Sequence, residues 1–385
     1  MKICLVGLEN LPVLAPGYDD CQIGGAQVQQ TLLARALVRA GYDVSMVVAD
    51  YGQPDGAVWD GIRTWKAYAP DAGVPVLRFV HPRWSGMYAA LGKAGADVYF
   101  TTCAGMQVGL IGLFCRRRGR RFVFRAASDS DCDSAKLLVR HARDRWLYAR
   151  GLRCADSILV QSKGQARSLA LSYGLSGHLV GSFVERADPA PVRRDIDVLW
   201  VANIRHVKRP DRVLALAQAL PHLAFHMVGG TLPGEEGLYD EIRRRAEKID
   251  NVVFHGRLSY RATNALYSRA RLLVNTSDVE GFPSSYLQAW ACGVPTVAFF
   301  DPDGIIERER LGAGVITEAD MRAEIARIGH DSRVWRRASR RCRDYIAREF
   351  NEDKILARYL EAFEGSHWHA DAHAASLVVP GASSA

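Results

Sequence analysis

Short apolar runs alternate along this chain with longer stretches in which apolar residues recur every three or four positions. In the first half the runs KICLVGL (2–8), DVSMVVA (43–49), ADVYFTT (96–102), RFVFRAA (121–127) and SILVQ (157–161) predict buried strands. Between the first two, GGAQVQQTLLARALVRAGY puts Val28, Leu32, Ala36 and Leu37 on one helical face, and Gly41 closes the helix. Strands this apolar, joined by helices, predict a parallel sheet covered on both faces. The second half repeats the scheme with DVLWVAN (197–203), AFHMVGG (224–230), NVVFHG (251–256), RLLVNTS (271–277) and PTVAFF (295–300). Between the halves, FVERADPAPVRRDID (183–197) is rich in proline and charge, which is linker chemistry. The expectation is an α/β chain of two doubly wound, Rossmann-like domains, 1–183 and 197–345, joined by 184–196. An arginine-rich helical pattern continues from 330 to 363, and 364–385 has no useful period and reads as a disordered tail.

Composition agrees with two domains. The chain has 385 residues, 48% hydrophobic and 24% charged, as in a soluble globular protein. No apolar run approaches the ~18 residues of a membrane span, and MKICLVGLENL is too short and too soon charged for a secretory signal. The eight cysteines are scattered without a C-x-x-C pair, so free thiols in a cytoplasmic protein are expected, and neither a zinc site nor any other metal site. The formal net charge is +8, and residues 116–153 alone hold 12 basic and 4 acidic residues. That excess points to an anionic partner. CRRRGRRFVFR (115–125) is followed by AKLLVRHARDRWLYARGLR (135–153), expected as a helix, whose leucine and aromatic edge suits an anionic bilayer at the inner face of the membrane. The plainer alternative is a solvated face over a core stripe. Nucleic acid is not expected, because 116–121 has no interleaved aromatics.

Open α/β sheets bind ligands at the carboxyl ends of their strands, so the candidate chemistry lies in the exit loops. The first has neither G-x-G-x-x-G nor a Walker sequence, which argues against a dehydrogenase or P-loop enzyme. It has the pair Gly24-Gly25 at a helix start, where backbone can approach a ligand. In VLWVANIRHVKRPDRVLALA (198–217), Arg205 and Lys208 follow a strand and precede a helix, a suitable diphosphate clamp. In EGFPSSYLQAWACGVP (280–295), Glu280 can accept from sugar hydroxyls or simply cap the next helix. The N–H groups of Gly281, Phe282 and Ser284 can face an anion, and Pro283 suits the first turn. Asp129 and Asp131 in FVFRAASDSDCD (122–133) are candidates for an acceptor or the sugar's face, or are caps.

The glycine pair, the basic loop with Lys208, EGFPSSYLQAWACGVP and DPDGIIE, in that order, resemble the GT-B glycosyltransferases, specifically the retaining enzymes of family four, over roughly 1–363. The resemblance implies a GT-B fold whose last helix, here 346–363, returns to the first domain. It implies that Lys208, with Arg205, binds the diphosphate of a nucleotide-sugar donor. Asn203 stands where many members have arginine. Glu280 matches the first glutamate of an E-x7-E motif that grips the donor sugar, and Gln288 replaces the second, which contacts the ribose. An amide keeps an acceptor and two donors. NVVFHGRLS (251–259) resembles the base-binding strand and turn, so Arg257 and Leu258 flank the base. The expected activity is metal-independent sugar transfer to a glycan, glycolipid or lipid-linked acceptor in polysaccharide or envelope assembly, with the nucleotide sugar as co-substrate and no cofactor. The alternative is a non-catalytic sugar-nucleotide or anionic-surface binder in which Gln288 marks a decayed site.

Overall fold

The structure is a computed structural model and describes residues 1–15, 17–18, 24–74, 77–184, 193–232 and 234–365. Among these, the first sheet takes β1 (Lys2–Val6), β2 (Asp43–Val48), β3 (Val58–Trp59), β4 (Ile62–Lys66), β5 (Val98–Thr102), β6 (Arg121–Arg125), β7 (Ser157–Val160) and β8 (His178–Leu179). Their order is β3-β4-β2-β1-β5-β6-β7-β8, parallel except for the β3–β4 hairpin. The second sheet takes β9 (Ile196–Val201), β10 (Phe225–Val228), β11 (Val252–Gly256), β12 (Ala270–Asn275), β13 (Thr296–Ala298) and β14 (Gly312–Gly314). Its order is β11-β10-β9-β12-β13-β14, parallel throughout.

All ten expected strands are present. Helix Gly25–Arg39 carries the predicted face, with Val28, Ala36 and Leu37 buried and Leu32 half-buried. Each sheet buries apolar side chains on both faces, which is why its strands read as unbroken apolar runs.

The arginine-rich C-terminal pattern, 330–363, divides into two helices, Ser332–Glu349 and Glu352–Glu364, and a third helix, Glu318–His330, precedes it. Helix Ser332–Glu349 lays Cys342 and Tyr345 against Tyr286 and Trp290 of the second domain. The last lays Ile355, Leu356, Tyr359, Ala362 and Phe363 into the core around β1 and β5. Phe100 meets the rings of Tyr359 and Phe363 at 6.0 and 5.8 Å. The crossing is at Phe350 and Asn351, whose side chain caps the last helix by accepting the Lys354 N–H at 3.1 Å. Residues 346–349 therefore stay with the second domain, a correction to the expected boundary. Most of the expected linker (185–192) and of the expected tail (366–385) lies outside the described residues.

A second correction concerns 135–153, where only Ala142–Leu152 is helical. The Asp133 carboxylate accepts the Ala135 N–H, a turn that competes with the helix. Arg145 donates to the carbonyls of Val139 and Leu137 at 2.6 and 3.4 Å, which satisfies them outside any helical ladder. Among the described residues no helix is long and apolar enough to cross a membrane.

Candidate active site

Where strand order reverses, neighbouring crossovers leave a crevice at the carboxyl edge. In the second sheet this point lies between β9 and β12, and in the first between β1 and β5. A cleft of about 410 Å³ opens there, with both domains in its walls.

The exits of β9 and β12 are stapled together. After β9 the chain passes Asn203 and Arg205, turns through His206–Lys208, and starts helix Pro210–Ala219. Thr276, just past β12, donates to the Lys208 carbonyl at 2.8 Å, and the Trp200 indole donates to Thr276 at 3.0 Å. The Asp278 N–H donates to the Val207 carbonyl at 2.9 Å. This scaffold places the Lys208 ammonium 2.6 Å from a Glu280 carboxylate oxygen. The other oxygen accepts from Ser277 Oγ at 2.7 Å and Asn275 Nδ2 at 3.2 Å. Glu280 is therefore fixed by three donors from two loops, with both side chains of the pair mostly buried. Such a preset pair holds its charges without reorganisation.

Two helix N-termini converge on this pair. Helix Gly25–Arg39 begins after Gly24 with no side-chain cap, and helix Ser284–Ala291 begins after Pro283, also with none. A Cβ at Gly25 would lie 3.0 Å from Ser284 Oγ, so the two ends nearly touch across the cleft. The first N–H groups of both helices lack intrahelical partners by geometry and favour an anion.

Gly24, Gly25, Asn203, Arg205, Lys208, Arg257, Leu258, Glu280, Pro283, Ser284 and Gln288 all line the cleft, so the structure brings together residues scattered over the sequence. Three of the remaining candidates differ. Phe282 turns its ring away, against Trp290 and Phe350 at 6.3 and 6.2 Å, because the loop needs an apolar anchor beneath it. Gly281 is buried at a backbone bridge to Ser128 of the other domain. Asp131 faces inward, where it accepts the Ala127 and Ser128 N–H groups at 2.8 and 3.2 Å and completes a capping box with Ser128. Asp129 stays at the domain junction. It accepts from Gln165 Nε2 at 3.1 Å, and burial raises its pKa, with the Asp303 and Glu280 carboxylates adding to the effect.

Burial pushes the Asp131 carboxyl up from 3.8 to about 6 against the pull of its backbone donors. The sign follows from linkage. A carboxyl raised in the fold favours folding below its unfolded pKa, and that contribution is lost as pH rises through 6. Between about pH 4 and 7 the wild type is expected to lose up to ~3 kcal/mol relative to Asp131→Asn. Parallel stability curves for the two proteins over that range would refute the assignment.

Three further cleft residues were not among the expected ones. Glu9 follows β1 and accepts from Gln27 Nε2 at 2.8 Å, and its surroundings raise its pKa chiefly by desolvation. Tyr260 accepts a hydrogen bond from Gln288 Nε2 at 3.3 Å, which leaves the amide oxygen for a ligand. Tyr267 lines the floor, is buried, and its hydroxyl has no partner among the described residues. Glu9 could have been found from its place at a strand exit. The two tyrosines lie on one helix, Tyr260–Arg269, whose pattern reads as ordinary packing.

Two facing Rossmann-like domains with a shared cleft define a GT-B fold, and solved structures of that form superpose on nearly the whole chain. Sucrose-phosphate synthase (tll1590) from Thermosynechococcus elongatus aligns with a TM-score of 0.72 at 19% identity, covering 95% of this chain and 98% of that one. Anabaena Alr3699/HepE in complex with UDP and glucose aligns at 0.71 and 13%, covering 95% and 100%. WaaG, a glycosyltransferase involved in lipopolysaccharide biosynthesis, aligns at 0.67 and 15%, covering 94% and 100%. In sequence, residues 24–180 match the glycosyl transferase 4-like domain and residues 183–328 match glycosyl transferases group 1. The chain belongs to the group 1 glycosyltransferases. A D-inositol 3-phosphate glycosyltransferase of Mycobacterium tuberculosis (strain ATCC 25618 / H37Rv) is 31% identical over 179 residues, 43% of this chain and 37% of that protein. The match thus spans little more than a third of that relative's length.

Proposed function

We propose that this glycosyltransferase moves a sugar, with retention of configuration, from a nucleoside-diphosphate sugar to a glycan, glycolipid or lipid-linked acceptor in glycoconjugate assembly. The observation that carries the reading is the fixed Lys208–Glu280 pair at the switch point, beneath two uncapped helix N-termini. In this reading Lys208, Arg205 and the N-termini receive the diphosphate. Glu280 accepts from the sugar's hydroxyls, Gln288 binds the ribose, and the base lies against Arg257 and Leu258.

The chemistry then needs little covalent help from the protein. The bond from the sugar's C1 to the diphosphate oxygen breaks, and its electron pair leaves with the diphosphate. The acceptor hydroxyl oxygen bonds to C1 on the same face, and its proton passes to the departing phosphate oxygen. Negative charge grows on the leaving group, where the fixed cations and N–H groups stand. Each well-aimed donor is worth about 3–4 kcal/mol of barrier.

Titration calorimetry of UDP, GDP and their sugar conjugates against the wild type and Lys208→Ala tests the reading. Micromolar binding of one nucleoside diphosphate, weakened at least about tenfold in the variant, is expected. Absence of binding by the folded wild type would sink it and favour a non-catalytic binder.

Tyr267 supplies a second test. A buried hydroxyl without a partner costs the free protein about 1–3 kcal/mol. Tyr267→Phe is therefore expected to leave the free protein at least as stable while weakening donor binding about fivefold or more. A variant that melts lower and binds donor normally would show that the hydroxyl serves the fold.

A further inference from the structure

One surface of the first domain takes no part in the donor chemistry. Helices Ser85–Ala94, Met106–Arg118 and Ala142–Leu152 bury their inner sides in the core around Tyr99, Phe122 and Tyr148. Their outer side, with the segments before the first and the third of them, carries Leu77, Val80, Leu138 and Trp146, which are 65%, 63%, 67% and 64% exposed.

A chain of ring contacts joins these elements. The Arg143 guanidinium lies over the Phe79 ring at 3.7 Å. Phe79 meets Trp84 at 5.7 Å, Trp84 meets Tyr88 at 5.8 Å, and Tyr88 meets Phe114 at 5.4 Å. Arg118 lies over Phe114 at 5.8 Å. Trp146 stands three residues from Arg143 and four from Arg150, so the three share one helix face. Arg145 ties the segment of Leu138 to the same helix.

The charge around these apolar tips is predominantly positive. Arg78, Arg116, Arg117, Arg118, Lys136, Arg140 and Arg143 are exposed. The neighbouring acids Asp144 and Asp133 already face Arg143 at 2.8 Å and Lys136 at 3.6 Å. The segments holding Leu77, Val80 and Leu138 leave the carboxyl ends of β4 and β6, the edge that opens on the cleft.

We propose that this surface docks on an anionic lipid bilayer. Leu77, Val80, Leu138 and Trp146 enter the headgroup region while the surrounding cations meet lipid phosphates. Large apolar tips scattered among arginines match a bilayer interface better than a folded protein partner. The cleft then opens beside the membrane, within reach of an acceptor carried on lipid. The inference rests on the transferase reading only for what the docking serves.

Flotation of the full chain with phosphatidylcholine vesicles, with and without phosphatidylglycerol, tests it. Binding is expected only with the anionic lipid, and is expected to fall about tenfold or more in high salt. Leu77→Ser with Trp146→Ser removes apolar contact without changing charge, and is expected to reduce binding about tenfold. Arg140→Glu with Arg143→Glu is expected to reduce it at least as much. None of these residues lines the cleft, so nucleotide titration serves as the check on folding. No binding of the wild type to anionic vesicles at low salt overturns the proposal. So does unchanged binding of the folded serine variant, which would leave a purely electrostatic contact. Vesicle binding without nucleotide binding would instead overturn the transferase reading and leave this one standing.

Discussion

Lys208→Ala is expected to lower kcat by about 100- to 1,000-fold, the effect of removing one fixed charge aimed at a developing anion. The lysine is fixed at both ends. Its carbonyl is held by Thr276, and its ammonium lies against Glu280. In the proposed reading, donor binding brings a diphosphate to the same ammonium, whose three hydrogens can serve both partners. The charge on that diphosphate rises as the glycosidic bond lengthens, so the loss should appear in kcat more than in KM. An equal kcat with a raised KM would mean that Lys208 only recruits donor. Glu280→Gln keeps an acceptor for Ser277 and Asn275 but loses the attraction to Lys208, and at least about a tenfold loss is expected. The two residues touch, so the double variant should lose less than the product of the single losses.

The fold was legible because its pattern repeats. Ten apolar runs in two series, separated by helical stretches, leave few alternatives to two parallel sheets. What escaped was short or non-local. β8 and β14 have two and three residues, and Gly-Ala-Gly carries no strand signal. The β3–β4 hairpin did have a signal, Asp60-Gly61 between apolar residues, and both take positive φ. The site divides in the same way. Lys208, Glu280 and the glycine pair lie at strand exits, so a rule about sheet edges finds them. Phe282 and Asp131 have the right position but the wrong direction. Whether a side chain faces the cleft or the core depends on Trp290 and Phe350 in one case, and on the Ala127 and Ser128 amides in the other. The partnership of Gln288 with Tyr260 joins residues 28 positions apart and has no local signature.

Gly281→Ala is expected to leave nucleotide affinity within about threefold and to lower kcat at least about tenfold, because it acts on domain closure and leaves the donor clamp intact. Gly281 pairs with Ser128 of the other domain, next to Glu280. A Cβ there would lie 2.8 Å from the Ala127 carbonyl oxygen and 3.1 Å from the Ser128 Cα. Both obstacles are backbone, and Asp131 holds the Ala127 and Ser128 amides on that stretch. The methyl group therefore has nowhere to go unless the domains part. Lys208, Arg205, Glu280 and Gln288 all belong to the second domain and keep their geometry when that happens, so in the proposed reading the donor loses only the Gly25 helix N-terminus and keeps its other contacts. The first domain, with Gly25 and Asp129, would stand back from the sugar, and displacements of about 1 Å at a reacting centre cost up to 100-fold. Gly25→Ala is the contrasting case. Its new methyl would meet Ser284 Oγ at 3.0 Å, the end of a side chain that can rotate, so a smaller loss is expected. Steady-state kinetics of the two variants beside nucleotide titration check the pair. If Gly281→Ala loses nucleotide affinity in step with kcat, the glycine serves Glu280 and the closure account fails.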